Sequence, residues 1–185
     1  MTQPARLLTV IVCGAGPASD VSQLIKLAQE HDWTVQVVAT PAALNFIDVP
    51  AIEAQTGSPV RSQYRRPGES RSRPADAIIV APATYNTINK WALGISDTYA
   101  LGILAETTAL GVPIVVLPFV NSALAARVPF RRSVEELRRE GAHILLGPGG
   151  VEPHEPHTGG ELIASYPWHL VLNEADRLTG LANAR

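Results

Sequence analysis

The chain has 185 residues, 46% of them hydrophobic and 17% charged, and a formal net charge of −2. This composition describes a globular chain able to bury a sizeable core and excludes a disordered one. The small charge gives no basic field for nucleic acid, and no run approaches the roughly 20 apolar residues that a membrane-spanning helix needs.

Leu7 to Cys13 is continuously apolar and reads as a central strand. It lacks the longer core and cleavage site of a secretory signal, so the expectation is a cytoplasmic protein. Cys13 is the single cysteine, which excludes an internal disulfide framework and a multi-cysteine metal site. At the end of that strand it reads as buried and inert. Gly14-Ala15-Gly16-Pro17 is a tight turn, and Ser19 to His31 carries apolar residues at helical spacing. Thr34 to Ala39 is a second strand. Thr40 then caps a short helix with Pro41 at its first position. Val49 to Val60 is ambiguous between a helical turn and a short edge strand.

Arg61 to Arg73 is a polar, arginine-rich loop with a turn at Pro67-Gly68. Asp76 to Ala81 is a buried strand, and Pro82 is expected to stop its ladder. Thr84 reads as the cap of the next helix. A further helix spans about Asp97 to Leu110 and stops at Gly111. Val112 to Leu117 is another strand, ending in Pro118. Ser133 to Glu140 reads as a helix, with Ser133 and Glu136 forming a capping box and Gly141 ending it. His143 to Leu146 is the last strand. Gly147 to Gly160 is a loop, and Pro167 to Leu178 a terminal helix.

Strands therefore alternate with helices along the whole chain. That pattern implies a three-layer Rossmann-like (flavodoxin-like) α/β fold, a parallel sheet with helices on both faces. Residues 1–185 are expected to form one domain, with 1–147 as its core and 148–185 as a C-terminal loop and helix.

In such a sheet ligands bind outside the carboxyl ends of the strands. Gly14-Ala15-Gly16 follows a strand and opens a helix, a place where free amides bind phosphate. The fuller dinucleotide pattern fails, because Ser19 stands where its third glycine belongs. Thr40 stands where an NAD site needs a ribose-binding acid. A mononucleotide phosphate is the better reading, and a nicotinamide-dependent dehydrogenase the poorest. Asp76 to Ala81 runs into Pro82-Ala83-Thr84-Tyr85-Asn86-Thr87, which puts small residues, amides and hydroxyls at a ligand's position.

The segment Ala81 to Asp97, A-P-A-T-Y-N-T-I-N-K-W-A-L-G-I-S-D, resembles the signature of the homo-oligomeric flavin-containing cysteine decarboxylases. That superfamily includes phosphopantothenoylcysteine decarboxylase and the peptidyl-cysteine decarboxylases of lantibiotic biosynthesis. Pro82, Ala83, Thr84, Asn86, Thr87, Lys90, Ala92, Gly94, Ile95 and Asp97 match it. Thr40-Pro41-Ala42-Ala43 with Phe46, and Val112 to Val115 leading to Pro118 and Asn121, resemble further segments of the family. The resemblance implies FMN, with Gly14, Ala15, Gly16 and Thr40 on its phosphate. Phe46 and Ala83 to Thr87 would line its ring. Asn121 would hold the substrate carboxylate or amide, and Asn86 the flavin and substrate. It also implies a homotrimer, or a dodecamer of four trimers, with the flavin at the trimer interface. The implied reaction takes a hydride equivalent from the thiol-bearing carbon and releases CO₂ from the resulting thioaldehyde.

The chain departs from that pattern in its catalytic parts. No histidine lies between His31 and His143, where the family carries one before the third-strand motif. Gly68 or Glu69 stands near that place, and Glu69 is either a replacement base or a solvated charge. Val120, Leu124 and Ala125 replace the family's Met, Met and aromatic residue. No cysteine follows Cys13. Loss of the decarboxylase parts leaves two alternatives: an FMN-binding carrier or accessory protein, and a flavin prenyltransferase-like enzyme. Arg61, Arg65, Arg66, Arg71 and Arg73 read as a carboxylate or phosphate clamp or as a solvated loop. His154-x-x-His157 lacks a third ligand at metal-site spacing. It reads as a plain loop or as a flap carrying an acid/base histidine. Trp91, Trp168 and His169 read as packing or interface residues.

Overall fold

The computed structural model describes residues 6–68 and 73–182. The strands are β1 (Arg6–Val12), β2 (Trp33–Ala39), β3 (Ala77–Ala83), β4 (Ile114–Pro118) and β5 (His143–Ile144). They form one five-stranded sheet in the order β2-β1-β3-β4-β5, and every pairing is parallel. The helices are α1 (Val21–Glu30), α2 (Val49–Thr56), α3 (Tyr85–Ala92), α4 (Tyr99–Ala109), α5 (Ser122–Ala125), α6 (Val128–Arg139) and α7 (Trp168–Ala182). The expected α/β fold is thus the observed one.

The strands are apolar throughout because both faces of the sheet are covered. Leu8, Val10 and Val12 of β1, with Val35, Val37, Ile79 and Leu117, pack against α1 and α7 through Leu24, Ile25, Val171 and Leu172. The alternate residues Ile11, Cys13, Ile78, Val80 and Val116 pack on the other face. There they meet Ile88, Trp91, Leu104, Phe130 and Leu137 of α3, α4 and α6. This alternation is the two-residue period of a strand read from both sides.

Several expected boundaries shift, each for a local reason. Pro82 does not end β3, which runs through a cis Ala81–Pro82 peptide to Ala83. The missing N–H falls within a register shift between Val80 and Ala83, and pairing resumes at Ala83 and Pro118. The segment after Thr40 forms a single 3₁₀ turn, Ala43–Asn45, rather than a short α-helix. The ambiguous stretch is α2, capped by Asp48, whose carboxylate accepts from the Ala51 amide at 3.1 Å, and ended by Gly57 at φ +68°. The chain then returns along β2, where Arg61 pairs with Val38.

The capping box at Ser133 is absent. α6 begins five residues earlier than expected at Val128, with Pro129 in its first turn. Phe130, Val134 and Leu137 supply its buried face, and the Ser133 hydroxyl donates to Asn89 Oδ1 at 2.8 Å. α4 starts at Tyr99, where the Thr98 hydroxyl accepts from the Leu101 amide. β5 is shorter than expected, and Leu146 instead pairs with Val151.

α7 is fastened at the edge of the sheet where the strands begin. Asp176 accepts from Trp33 Nε1 at 2.8 Å and pairs with His31 at 2.7 Å. Glu174 pairs with His143 at 2.8 Å and accepts from Arg177 at 2.7 Å. The Arg177 hydrogen bond, helped by His143, lowers the Glu174 carboxyl from 4.5 to about 2. Because the folded value lies below the unfolded one, the stability Glu174 adds is complete above about pH 4.5 and is lost as pH falls toward about 2. Glu174→Gln is expected to cost about 1 kcal/mol at neutral pH and to flatten the acid-unfolding curve in that window. Urea titrations of both proteins between those pH values check this.

Candidate functional site

The sheet order reverses direction between β1 and β3, so the loops leaving those strands part and leave a crevice. Backbone bonds beyond the ladders fix the crevice. The Cys13 amide donates to Pro82 O at 3.2 Å, the Thr40 amide to Val12 O at 2.9 Å, and the Phe119 amide to Ala83 O at 2.9 Å. These bonds bring the ends of β1, β2, β3 and β4 to one edge. The sequence-expected residues Gly14, Ala15, Gly16, Thr40, Phe46, Ala83, Thr84, Asn86, Thr87 and Asn121 all follow or end those strands.

The turn after β1 meets the turn after β2. A Cβ on Gly14 would lie 2.8 Å from Ala42 Cβ and 3.0 Å from the Ala42 carbonyl carbon, so only glycine fits. A Cβ on Gly16 would meet Ile163 Cδ1 at 2.9 Å. The Ala15 amide donates to Cys13 O, whereas the Gly14 and Gly16 amides have no backbone partner among the described residues. The element that opens here is a 3₁₀ turn, Gly16–Asp20, ahead of α1.

Thr40 is 8% exposed, and its Oγ1 accepts from the Ala43 amide at 3.3 Å, which leaves the hydroxyl proton to donate. Phe46 is 44% exposed beside the similarly exposed Leu44, an apolar surface at the same edge. Thr84 caps α3, accepting from the Thr87 amide, and the two hydroxyls are 3.1 Å apart. Asn86, the second residue of α3, is exposed. Cys13 is buried against Thr84 and Thr87. Burial pushes its thiol up, and hydrogen bonding to Thr87 and Thr84 only partly opposes that. The thiol is therefore neutral and shielded, as its strand position implies.

The second half of the signature is a helix stop. Gly94 takes φ +69°, its amide donates to Trp91 O, and the Ile95 amide donates to Lys90 O. Lys90 and Asp97 close the turn with an ion pair at 2.5 Å. Trp91 is buried, and its indole donates to Thr108.

Asn121 caps α5, its Oδ1 accepting from the Leu124 amide at 2.9 Å. It also pairs with His154, whose amide donates to Val120 O and whose carbonyl accepts from Ser122. The His154 ring lies 4.8 Å from the Phe119 ring. Phe119 stands inside the Pro118-x-x-Asn121 pattern, which was the available signal for it. Its pairing with a distant histidine had no signal in the sequence. Tyr166 closes the group, its hydroxyl donating to Leu117 O at 2.6 Å. A cavity of about 250 Å³ lies here, lined by Phe119, Val120, Glu152, His154, Ser165 and Tyr166.

Arg61, Arg65 and Arg73 do not converge on this edge. Arg61 lies along β2, and Arg65 and Arg73 line a cavity of about 570 Å³ on the sheet face with Thr9, Tyr64 and Glu106. Arg73 pairs with Asp76 at the start of β3. Arg71 and Glu69 lie outside the described residues. His157 and His169 are exposed, and Trp168 is buried. Among the described residues no group of three His, Cys, Asp or Glu side chains is placed to hold a metal, and no helix is long and apolar enough to cross a membrane.

The pattern of the Flavoprotein family matches residues 2–164. The coenzyme A biosynthesis bifunctional protein CoaBC of Thermococcus kodakarensis is 31% identical over 134 residues, covering 66% of this chain and 32% of that protein. The chain thus spans about a third of the length of the curated relatives it matches. Among solved structures, the FMN-dependent cysteine decarboxylase SpaF superposes with a TM-score of 0.68 at 25% identity, over 92% of this chain and 97% of that one. The cypemycin decarboxylase CypD shares the fold, with a TM-score of 0.71 at 22% identity over 97% and 96% of the two chains. A matched pattern over most of its length, on a fold shared with these enzymes, makes this chain a member of the Flavoprotein family.

Proposed function

We propose that the chain binds FMN at the crevice and uses it to decarboxylate, oxidatively, a small or peptidyl substrate of cysteine type. The observation that carries this reading is the gathering of glycine turn, buried threonine, capping threonines and asparagine amides on one sheet edge, at the reversal point. The similarity to FMN-dependent SpaF supports the cofactor and the reaction.

The donor set fits FMN. At Gly14 a side chain would fill the space where the backbone turn meets the β2 loop. Thr40 offers a neutral hydroxyl at the end of β2, suited to a phosphate and not to a ribose diol. The Gly14 and Gly16 amides and the Thr40 hydroxyl take the phosphate, with Ala15 shaping the turn between them. Phe46, Ala83, Thr84 and Thr87 form an uncharged wall for a flat ring, and Asn86 presents its amide to ring and substrate. Asn121 commits its oxygen to the α5 cap, so its NH₂ is the group left to hold a substrate carboxylate. Bound FMN would supply the two-electron acceptor.

Leu93 and Ile95 are 72% and 41% exposed beside the signature helix. Apolar surface of this kind supports assembly into a homotrimer, or a dodecamer of trimers, with the flavin site completed between copies. A cytoplasmic location accords with this assignment.

A second reading is an FMN-binding protein without decarboxylase activity. Val120, Leu124 and Ala125 beside Asn121, and the lack of any histidine between His31 and His143, favour it.

Protein loaded with FMN is expected to be yellow, with bands near ~375 and ~450 nm shifted from those of free flavin. A chain that stays colourless after incubation with FMN sinks both readings. Gly14→Val is expected to weaken FMN binding at least about tenfold by forcing the two loops apart. Thr40→Val should weaken FMN by about tenfold but leave riboflavin affinity unchanged, since only FMN carries the phosphate. Equal losses for the two flavins, measured by fluorescence quenching, would place the phosphate elsewhere. Turnover on a peptide ending in cysteine, followed as CO₂ release, separates the enzyme from the binding protein.

A further inference from the structure

We propose that His154 is the proton acceptor of this site, taking the thiol proton of a cysteine-type substrate seated in the cavity beneath the C-terminal segment. The assignment rests on the decarboxylase reading above and names the base that it needs.

Backbone pairing fixes where His154 stands. Its amide and carbonyl bond on either side of Asn121, so the two residues lie side by side, about 5 Å apart along the pairing direction. The ring is held between Phe119, 4.8 Å away, and Gly159. A Cβ at residue 159 would come within 3.0 Å of Cε1 and 3.2 Å of Nε2, so glycine leaves Nε2 its space. His154 Nδ1 lies 2.9 Å from the Glu155 carbonyl. A carbonyl only accepts, so Nδ1 carries the proton and Nε2 of the neutral ring carries the lone pair. The ring that carries this nitrogen is oriented and lines a cavity of about 250 Å³. That volume is below the range usual for whole cofactors and suits a group of amino-acid size.

The other titratable groups nearby are less suited. Burial pushes up the Cys13 thiol, and the Tyr166 hydroxyl, also pushed up by burial, donates to Leu117 O. His31 and His143 are paired with Asp176 and Glu174 at the far edge of the sheet. Glu152 lines the same cavity, but it is exposed, and a solvated carboxylate is a far weaker base than an imidazole.

In the proposed step the substrate S–H bond breaks, an N–H bond forms at Nε2, and the electron pair stays on sulfur. Nothing is oxidised or reduced in it. Asn121 beside the histidine holds the carboxylate, which orients the thiol toward the ring.

The experiment uses the full chain loaded with FMN and N-acetylcysteine as the probe. A long-wavelength charge-transfer band between bound thiolate and flavin is followed against pH. The band is expected at least about one pH unit below the ordinary thiol value of roughly 8.5. His154→Gln should return it to that value and lower turnover on a cysteine-ended peptide about 10²-fold or more. FMN affinity should stay within about twofold, which shows a folded site. A His154→Gln protein with unchanged band and turnover overturns the assignment. So does a Glu69→Gln protein that loses both, since Glu69 is then the base. FMN-loaded wild type without a low-pH thiolate sinks the assignment alone. Wild type that takes up no FMN sinks the flavoenzyme reading and the base with it.

Discussion

The bond from the Cys13 amide to the Pro82 carbonyl joins β1 and β3 just beyond their ladder, where the sheet order reverses. The placement of the candidate site depends on it. A reversal point splays the neighbouring loops, and without a cross-tie the turns at Gly14 and Thr84 would each find their own position. Pro82 has no amide to give, so its carbonyl is the backbone polar group left for this contact. A proline that would end an ordinary central strand here carries the strand onward, through a register shift, to a neighbour on each side.

The family signature divides into two physical tasks. Thr84, Asn86 and Thr87 put hydroxyls and an amide at a helix start, where polar groups are free to meet a ligand. Lys90, Gly94 and Asp97 end the same helix with a left-handed glycine and an ion pair. The second half fixes the length and exit direction of the helix that the first half begins. Both halves read as one motif in the sequence because one short helix separates them.

The strands and the gathering of strand-end residues were legible because both sheet faces are buried. Continuous apolar runs such as Leu7 to Cys13 mark that state, and the turn residues follow directly behind them. The start of α6 was not legible from Ser133 and Glu136. A capping box is a local pattern, and the apolar face set by Phe130, Val134 and Leu137 overrode it. The arginine loop suggested a clamp by composition alone, but chain direction carries Arg61 to the sheet edge and Arg65 and Arg73 to the sheet face. The contact of His154 with Phe119 was hidden for another reason. It arises from a bridge between irregular segments, and such pairing leaves no periodic trace.

The meeting of Gly14 and Ala42 has a consequence for how this sequence can drift. The two positions share one volume, so the size of either residue is set by the other. A methyl group at residue 14 would press on the backbone of residue 42 as well as on its side chain, so no loss at 42 makes full room for it, and a bulkier residue 42 would press on a neighbour with no side chain left to lose. Divergence at the end of β2 is thereby confined by a residue at the end of β1. The two turns are inherited as a matched pair, although 27 intervening residues separate them in the chain.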